Sequence, residues 1–323
     1  MNTRRKKERA AMTETSRKIL ESFQIRKSKR QKAEFRGWLC EELRQAGYAP
    51  KEEPHGGLVS GCNLVVGDPE RAELLCTAHY DTCAVMPVPN FITPRNMFWY
   101  LLYQFGLVAV IFLFAAAVEV AVIRLFDPPS AVAVLAMEAA MFFCLWWLMF
   151  GPANRRTAND NTSGVVTLVE TALALPEELR NKVCFVFFDN EEKGLFGSAA
   201  FAKAHPAAKN GALVLNFDCV GEGDSIQFFP GKELKKDTAA LERLENAFVC
   251  GGGKTAEAVR GFGFYPSDQK HFRRGMGVCA LKKNRVFGYY MDKIHTKRDT
   301  VLDEENIRIL RDGVLRLLGA EVR

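Results

Sequence analysis

No two of the nine cysteines are spaced as a CxxC pair; they stand singly at 40, 62, 76, 83, 144, 184, 219, 250 and 279. That excludes a thiolate zinc finger or ribbon and a disulfide framework. Several lie in apolar runs, such as Cys76 in ELLCTAHYD and Cys184 in KVCFVFFD, and read as buried thiols of a reducing compartment. No apolar segment follows the basic residues at the start, so no secretory signal peptide is expected. A basic body is missing as well. The net charge is +6, but residues 1–36 carry 13 Lys/Arg against 4 Asp/Glu, and the remainder carries 31 against 34. The excess belongs to an N-terminal arm, so nucleic acid is not an expected partner. The arm suits an anionic membrane surface or a solvated helix face equally.

What is present is an alternation of strand and helix signals. A helix is expected over 17–46, stopped by Gly47. Strands are expected at 62–67, 73–78, 182–188, 211–217 and 225–229. Helices are expected at 162–175, 195–204, 236–249 and 304–319. Asp303 is placed to cap the last of these, which aligns Ile307, Leu310, Val314 and Leu317 on one face. The pattern predicts an α/β fold with a mixed, mainly parallel sheet between helices. Sites in such sheets form beyond the carboxyl ends of strands.

Two apolar runs interrupt the alternation. In residues 98–118 Gln104 is the one strongly polar side chain, and in 131–150 Glu138 is the one charge. Each run approaches the ~20 residues that span a bilayer, and Asp127-Pro-Pro-Ser130 makes a turn between them. Trp99, Tyr100 and Tyr103 open the first run, and Trp146 and Trp147 close the second, as an interfacial aromatic belt would. Arg95 and Arg155-Arg156 flank that same side and place it in the cytoplasm; Arg124 near the turn opposes this. Glu138 costs roughly 2–3 kcal/mol near a span centre, which its apolar neighbours offset. The expected organisation is a basic arm at 1–16, a discontinuous catalytic domain at 17–96 and 151–323, and an inserted transmembrane hairpin at 97–150. A soluble hairpin used for dimerisation is the alternative.

Five candidate metal ligands recur in order: His79 in HYDTC, Asp160 in ANDNTSG, Glu192 in FFDNEEKGLFGS, Asp218 in LNFDCVG and His295 in IHTKRDT. Histidines and carboxylates without thiolate suit catalytic zinc. The adjacent Glu191 is placed to be the base for a metal-activated water. Two acids directly after an apolar strand repel each other, and cations relieve that repulsion. Asp81, two residues after His79, is positioned to hold its ring. Taken singly, each motif has a plainer reading. His79 reads equally as a satisfied strand-end histidine, and Asp160 as a helix cap. Asp299 reads as a partner of His295 or a turn former.

Together these motifs resemble the co-catalytic di-zinc aminopeptidases of clan MH, a group that also holds glutaminyl cyclases and glutamate carboxypeptidases. The resemblance covers roughly 17–96 and 151–320. It implies two divalent ions, zinc in the first instance: His79 and Asp218 on one, Glu192 and His295 on the other, Asp160 bridging. It further implies Glu191 as general base, Asp81 orienting His79, and peptides with free N-termini as substrates. Ser267–Phe272 looks like a variant of a Ser-Asp-His segment found before the last ligand. Two departures stand out. The hairpin lies between His79 and Asp160, where relatives have about a dozen residues, so it must leave and re-enter at the rim of the site. Ile294 replaces a tyrosine common before the last histidine, leaving Tyr265, Tyr289 or Tyr290 to serve in its place. The expected function is a membrane-anchored aminopeptidase facing the cytoplasm. The rivals are cyclase or carboxypeptidase chemistry on the same scaffold, or a non-catalytic tethered protein.

Overall fold

The structure is a computed structural model that describes residues 12–57 and 59–322. Its centre is a sheet of nine strands. They are β1 (Lys51–His55), β2 (Gly61–Val66), β3 (Leu74–His79), β4 (Val183–Phe188), β5 (Leu213–Phe217), β6 (Ser225–Pro230), β7 (Thr255–Ala258), β8 (Gly275–Asn284) and β9 (Gly288–Tyr290). The order is β1-β2-β4-β3-β5-β8-β6-β7, with β9 paired to β8. β3 lies between β4 and β5, parallel to both, and β5 is parallel to β8; β1 and β2 run antiparallel to their neighbours, and β6 is antiparallel to β8 but parallel to β7. The mixed, mainly parallel α/β sheet is the one expected.

The strand period of two sorts each central strand into two cores. In β4, Val183, Phe185 and Phe187 enter one cluster, while Cys184, Val186 and Phe188 enter the other. The first is covered by α1 (Glu14–Ser22), α2 (Lys29–Gln45), α5 (Gly164–Ala174), α8 (Thr238–Ala247) and α9 (Glu304–Leu317). The second is covered by α6 (Phe196–Ala204) and the short α7 (Pro206–Asn210). Asp303 caps α9, accepting from the Glu305 N–H, and Ile307, Leu310, Val314 and Leu317 are all buried.

Three expectations change. The single helix over 17–46 is two helices, α1 and α2. Between them Arg26 turns inward, fully buried, and its guanidinium donates to the Phe23 and Tyr80 carbonyls and to Thr162 Oγ1. A capping box of Ser28 and Gln31 then restarts the helix, and Gly47 lies beyond it with φ +85°. Secondly, β1, β7, β8 and β9 carry no clean apolar alternation. β1 reads KEEPH and tolerates Pro54 because it is an edge strand. Thirdly, two cations of the basic N-terminal stretch leave the surface, while Arg17, Lys18, Lys29 and Arg30 stay exposed. Arg26 and Lys32 are buried, so neither faces a membrane, and residues 1–11 of the arm expected at 1–16 lie outside the described residues.

The two apolar runs form helices α3 (Met97–Phe126) and α4 (Ser130–Phe150), of mean hydropathy 2.7 and 2.0 over their most apolar windows, with only 6% of each window buried. They pair with each other as a hairpin, and Asp127 takes the left-handed conformation at the turn (φ 42°). By length and composition both can cross a membrane. The insert leaves and returns through a narrow neck, where Ala84 bridges Ala153 and the Val85 N–H donates to the Pro152 carbonyl at 2.8 Å. That neck begins three residues after Asp81, so the insertion is rooted beside the expected site.

Candidate metal centre

The candidate residues are brought together by the carboxyl ends of the three central parallel strands. His79 is the last residue of β3; Glu191 and Glu192 follow β4, and Asp218 follows β5. Asp160 comes from the turn that leads into α5, and His295 from the loop between β9 and α9. All six converge. His79 Nε2 lies 3.4 Å from Asp160 Oδ1 and 3.7 Å from Asp218 Oδ1. His295 Nε2 lies 2.9 Å from Asp160 Oδ2 and 3.4 Å from Glu192 Oε2. Asp160 thus presents one oxygen to each histidine.

Local structure explains how these side chains are held. Asp160 is not the cap of α5. Asn161 takes that task, accepting from the Gly164 N–H at 3.0 Å and donating to the Phe217 carbonyl at 2.9 Å. The Asp160–Asn161 peptide is cis. Asp299 supports the same turn, its two oxygens accepting from the Asn159 N–H at 2.7 Å and the Asp160 N–H at 3.0 Å. Asp81 clamps two strand ends. It accepts from the Glu191 and Glu192 N–H groups at 3.0 and 3.3 Å, and its Oδ1 lies 3.6 Å from His79 Nδ1. His79 Nδ1 is also 3.1 Å from the Asp81 carbonyl, so the ring is oriented from its far side. Behind Glu191, the turn of β4 into α6 brings Gly197 so close to the chain that a Cβ there would stand 2.2 Å from the Asp189 carbonyl.

Burial and charge set the electrostatics. Burial disfavours charge on His79, but Glu191, Asp160 and Asp218 hold it well above the ordinary histidine value. Burial pushes Glu192 up to about 7, against the pull of His295. Burial likewise opposes the charge of His295, yet Glu192 and Asp160 raise it to about 9. Glu191 is raised well above the carboxylate range by burial, with Asp268, Glu192 and Asp218 adding to it and His79 opposing. Asp160 goes the other way: despite burial, His295 and His79 hold it well below the ordinary carboxylate range. Buried cations stand behind the acids. Lys32 Nζ pairs with Asp189 and donates to Asn190 Oδ1 at 2.9 Å, and Arg26 lies against the same region.

This donor set fits divalent ions. Ligand atoms of His79, Asp160 and Asp218 lie within 4.8 Å of one another, as do those of Cys83, Asp160, Glu192 and His295, and those of His79, Glu191 and Glu192. Glu192 Oε1 is buried without a hydrogen-bond partner. A buried carboxylate oxygen with no donor is costly, and a cation answers that cost.

Sequence reasoning does not place Cys83 or Tyr100 in the site, and it reaches Asp268 only through its segment. Cys83 stands in the thick of the centre, where nothing but its nearness to Asp81 signals it. Asp268 is fully buried with neither oxygen partnered, and burial pushes it up to about 7. Asp268 belongs to the Ser267–Phe272 segment that the sequence points to, and Ser267 Oγ reaches Glu191 Oε1 at 3.4 Å. Of the three candidate tyrosines, Tyr265 lines the site and donates to the Asp218 carbonyl at 3.0 Å; neither Tyr289 nor Tyr290 lines the cavity. That cavity, ≈ 180 Å³, is walled on its apolar side by Ile92, Tyr100, Phe264 and Ile294. Tyr100 belongs to the first turn of α3. Arg95, expected as a free positive flank, instead pairs with Glu257 at 2.7 Å and covers the Tyr289 ring at 4.6 Å.

Comparisons with known proteins bear on the family and the fold. A family model described as peptidase family M28 matches residues 145–317. A comparison with curated protein sequences finds no match. Among solved structures, the chain is similar to a glutaminyl cyclase of Porphyromonas gingivalis at 16% identity and TM-score 0.60, covering 94% of each chain. It is similar to a Zn-dependent exopeptidase of Parabacteroides distasonis at 15% and 0.59, also covering 94% of each. It is similar to a leucine aminopeptidase precursor of Bacteroides thetaiotaomicron at 13% and 0.57, covering 95% of each. At such identities the likeness is one of fold.

Proposed function

The chain belongs to peptidase family M28, and from that premise we propose that it is a membrane-anchored, zinc-dependent aminopeptidase acting on peptides with free N-termini. Family membership supports the coarser statement, a zinc-dependent peptidase or glutaminyl cyclase-like function. The observation that carries the finer reading is the convergence of two histidines and two acids, Glu192 and Asp218, around Asp160, with Glu191 beside them.

In this reading His79 and Asp218 would hold one divalent ion and Glu192 and His295 a second, with Asp160, which offers one oxygen to each histidine, available to both. When bound, the ions supply Lewis acidity toward the scissile carbonyl and lower the pKa of water. Glu191 takes the proton of the attacking water and returns it to the leaving amine, a role suited to a carboxylate whose affinity for protons is raised. Asp81 keeps the His79 ring and the Glu191–Glu192 backbone in register. Asp299 keeps the Asp160 turn in place. Ile294 lines the cavity without a hydroxyl, and Tyr265, whose hydroxyl donates to the Asp218 carbonyl, is the candidate among the three tyrosines that lines it as well.

Anchoring by residues 97–150, with the remainder as one discontinuous catalytic domain, rests on the length, apolarity and exposure of α3 and α4. The exposed Arg155 and Arg156 after α4 favour a cytoplasmic catalytic domain. Cyclase chemistry is the second reading, favoured by the likeness to solved glutaminyl cyclases. A panel of amino-acyl chromogenic substrates together with an N-terminal glutaminyl peptide separates the two. Chelator-sensitive release of the chromogen is expected. Ammonia release from the glutaminyl peptide, with no hydrolysis of the panel, overturns the aminopeptidase reading.

A further inference from the structure

Outside α3 and α4, the exposed large apolar side chains of the described residues are Val249, Phe262, Phe264 and Val286. Three of these four sit on two loops that meet the root of α3. The first loop is Arg260–Phe264. The Phe264 N–H donates to the Pro94 carbonyl at 2.8 Å, and its ring meets Tyr100 edge-on at 5.5 Å. The second is the turn joining β8 to β9. Trp99 Nε1 donates to the Val286 carbonyl at 3.1 Å, and Phe287 packs edge-on against Trp99 at 5.1 Å. Phe262 and Val286 are 54% and 61% exposed although the loops that bear them are fastened at both points. The second turn is basic: Lys283 and Arg285 are exposed, and no acid occurs in 284–291. In the first loop Arg260 is paired with Glu245 at 2.7 Å, so that loop contributes apolar contact.

Helix length fixes the depth of these loops. α4 has 21 residues, about 32 Å at ~1.5 Å per residue, which matches the ~30 Å hydrocarbon layer. α3 has 30 residues and shares the far turn with α4. Its surplus of roughly nine residues therefore falls at the root, over Met97–Phe105, and extends beyond the hydrocarbon by about 13 Å. Trp99, Tyr100 and Tyr103 lie in that surplus, where indole and phenol rings prefer the headgroup layer. Phe262, Phe264 and Val286 stand at the same level.

We infer that the two loops are a second membrane contact: with the root of α3 they seat in the headgroup layer of an anionic bilayer. The inference rests on the membrane reading proposed above. Basic and apolar side chains side by side are the composition that such an interface selects. Tyr100 and Phe264 also wall the catalytic cavity, so its mouth opens at the lipid surface and takes peptide N-termini presented there.

The test places p-benzoylphenylalanine, one position at a time, in the full-length chain reconstituted in phosphatidylcholine/phosphatidylglycerol nanodiscs. The positions are those of Phe262, Val286, Phe112 midway along α3, and Glu178, which precedes the amino end of β4 at the far end of the sheet. After irradiation, lipid adducts are read by intact mass. Adducts at 262, 286 and 112 with none at 178 are expected. Replacing the anionic lipid with neutral lipid should lower the yield at 262 and 286 by about threefold or more, given ~1 kcal/mol for each nearby basic residue. Adducts at 112 alone overturn the loop contact and leave the anchor standing. No lipid adduct at 112, or crosslinks there to a second copy, overturns the anchor and the inference with it. Equal yields in neutral lipid overturn the anionic selectivity.

Discussion

At the scale of single residues, two neighbouring glutamates carry different tasks on one turn. Glu192 faces His295 at 3.4 Å and has a buried oxygen without a partner, whereas Glu191 is reached by Ser267 and surrounded by other acids. Glu191→Gln is expected to lower kcat by about 10²–10⁴-fold, the usual share of a general base, while bound metal is retained. Glu192→Gln is expected to lose metal. Near-full activity in Glu191→Gln with metal bound would reverse the assignment. The proton balance gives a second outcome. Glu192 titrates at about 7 and His295 at about 9, so both are protonated below those values and must shed protons to bind a cation. Apparent metal affinity should therefore weaken as pH falls from 8 to 6. Calorimetry in buffers of different ionisation enthalpy should record proton release near neutral pH. Affinity unchanged across that range would remove these two residues from the ligand set.

At the scale of elements, the strand ends do the positioning, and buried charge supports them. Lys32 of α2 and Asp189 after β4 are both almost wholly buried and paired. Removing one partner leaves an uncompensated charge, so Lys32→Met should cost about 3–5 kcal/mol in denaturant unfolding. A cost under about 1 kcal/mol would mean that Asp189 is satisfied by its other neighbours. The sequence made the parallel centre legible because β3, β4 and β5 are mostly apolar runs, each ending in or followed by a candidate ligand. It made α9 legible because Asp303 and a regular apolar face agree. It did not disclose the break between α1 and α2, since a buried arginine looks like a surface one until its carbonyl partners are known. Nor did it disclose β1 or β8. β1 pairs through backbone with charged side chains, and β8 begins with two glycines that the close approach of Gln269 requires. The metal ligands were legible by order and residue type. Tyr100 and Cys83 were not, because their nearness depends on how distant segments meet.

At the scale of the whole molecule, a hydrolytic centre and an apolar hairpin share one rim. The neck at Ala84 and Ala153 is self-paired, so the hairpin is removable in principle without parting His79 from Asp160. Replacing residues 97–150 with a short Gly/Ser linker should move the chain from the membrane pellet to the soluble fraction after an alkaline, high-salt wash. If the full-length chain itself washes free as a discrete oligomer, the hairpin is an assembly arm instead. The central claim is nearer the chemistry: Asp160 ties two cation sites together, with a histidine on either side at 3.4 and 2.9 Å. Metal content by mass spectrometry, on protein purified with zinc and without chelator, tests it most directly. Two zinc ions per chain are expected in the native protein, with both lost or greatly reduced in Asp160→Ala. Zinc-free native protein, or an Asp160→Ala variant that keeps the native complement, would contradict it.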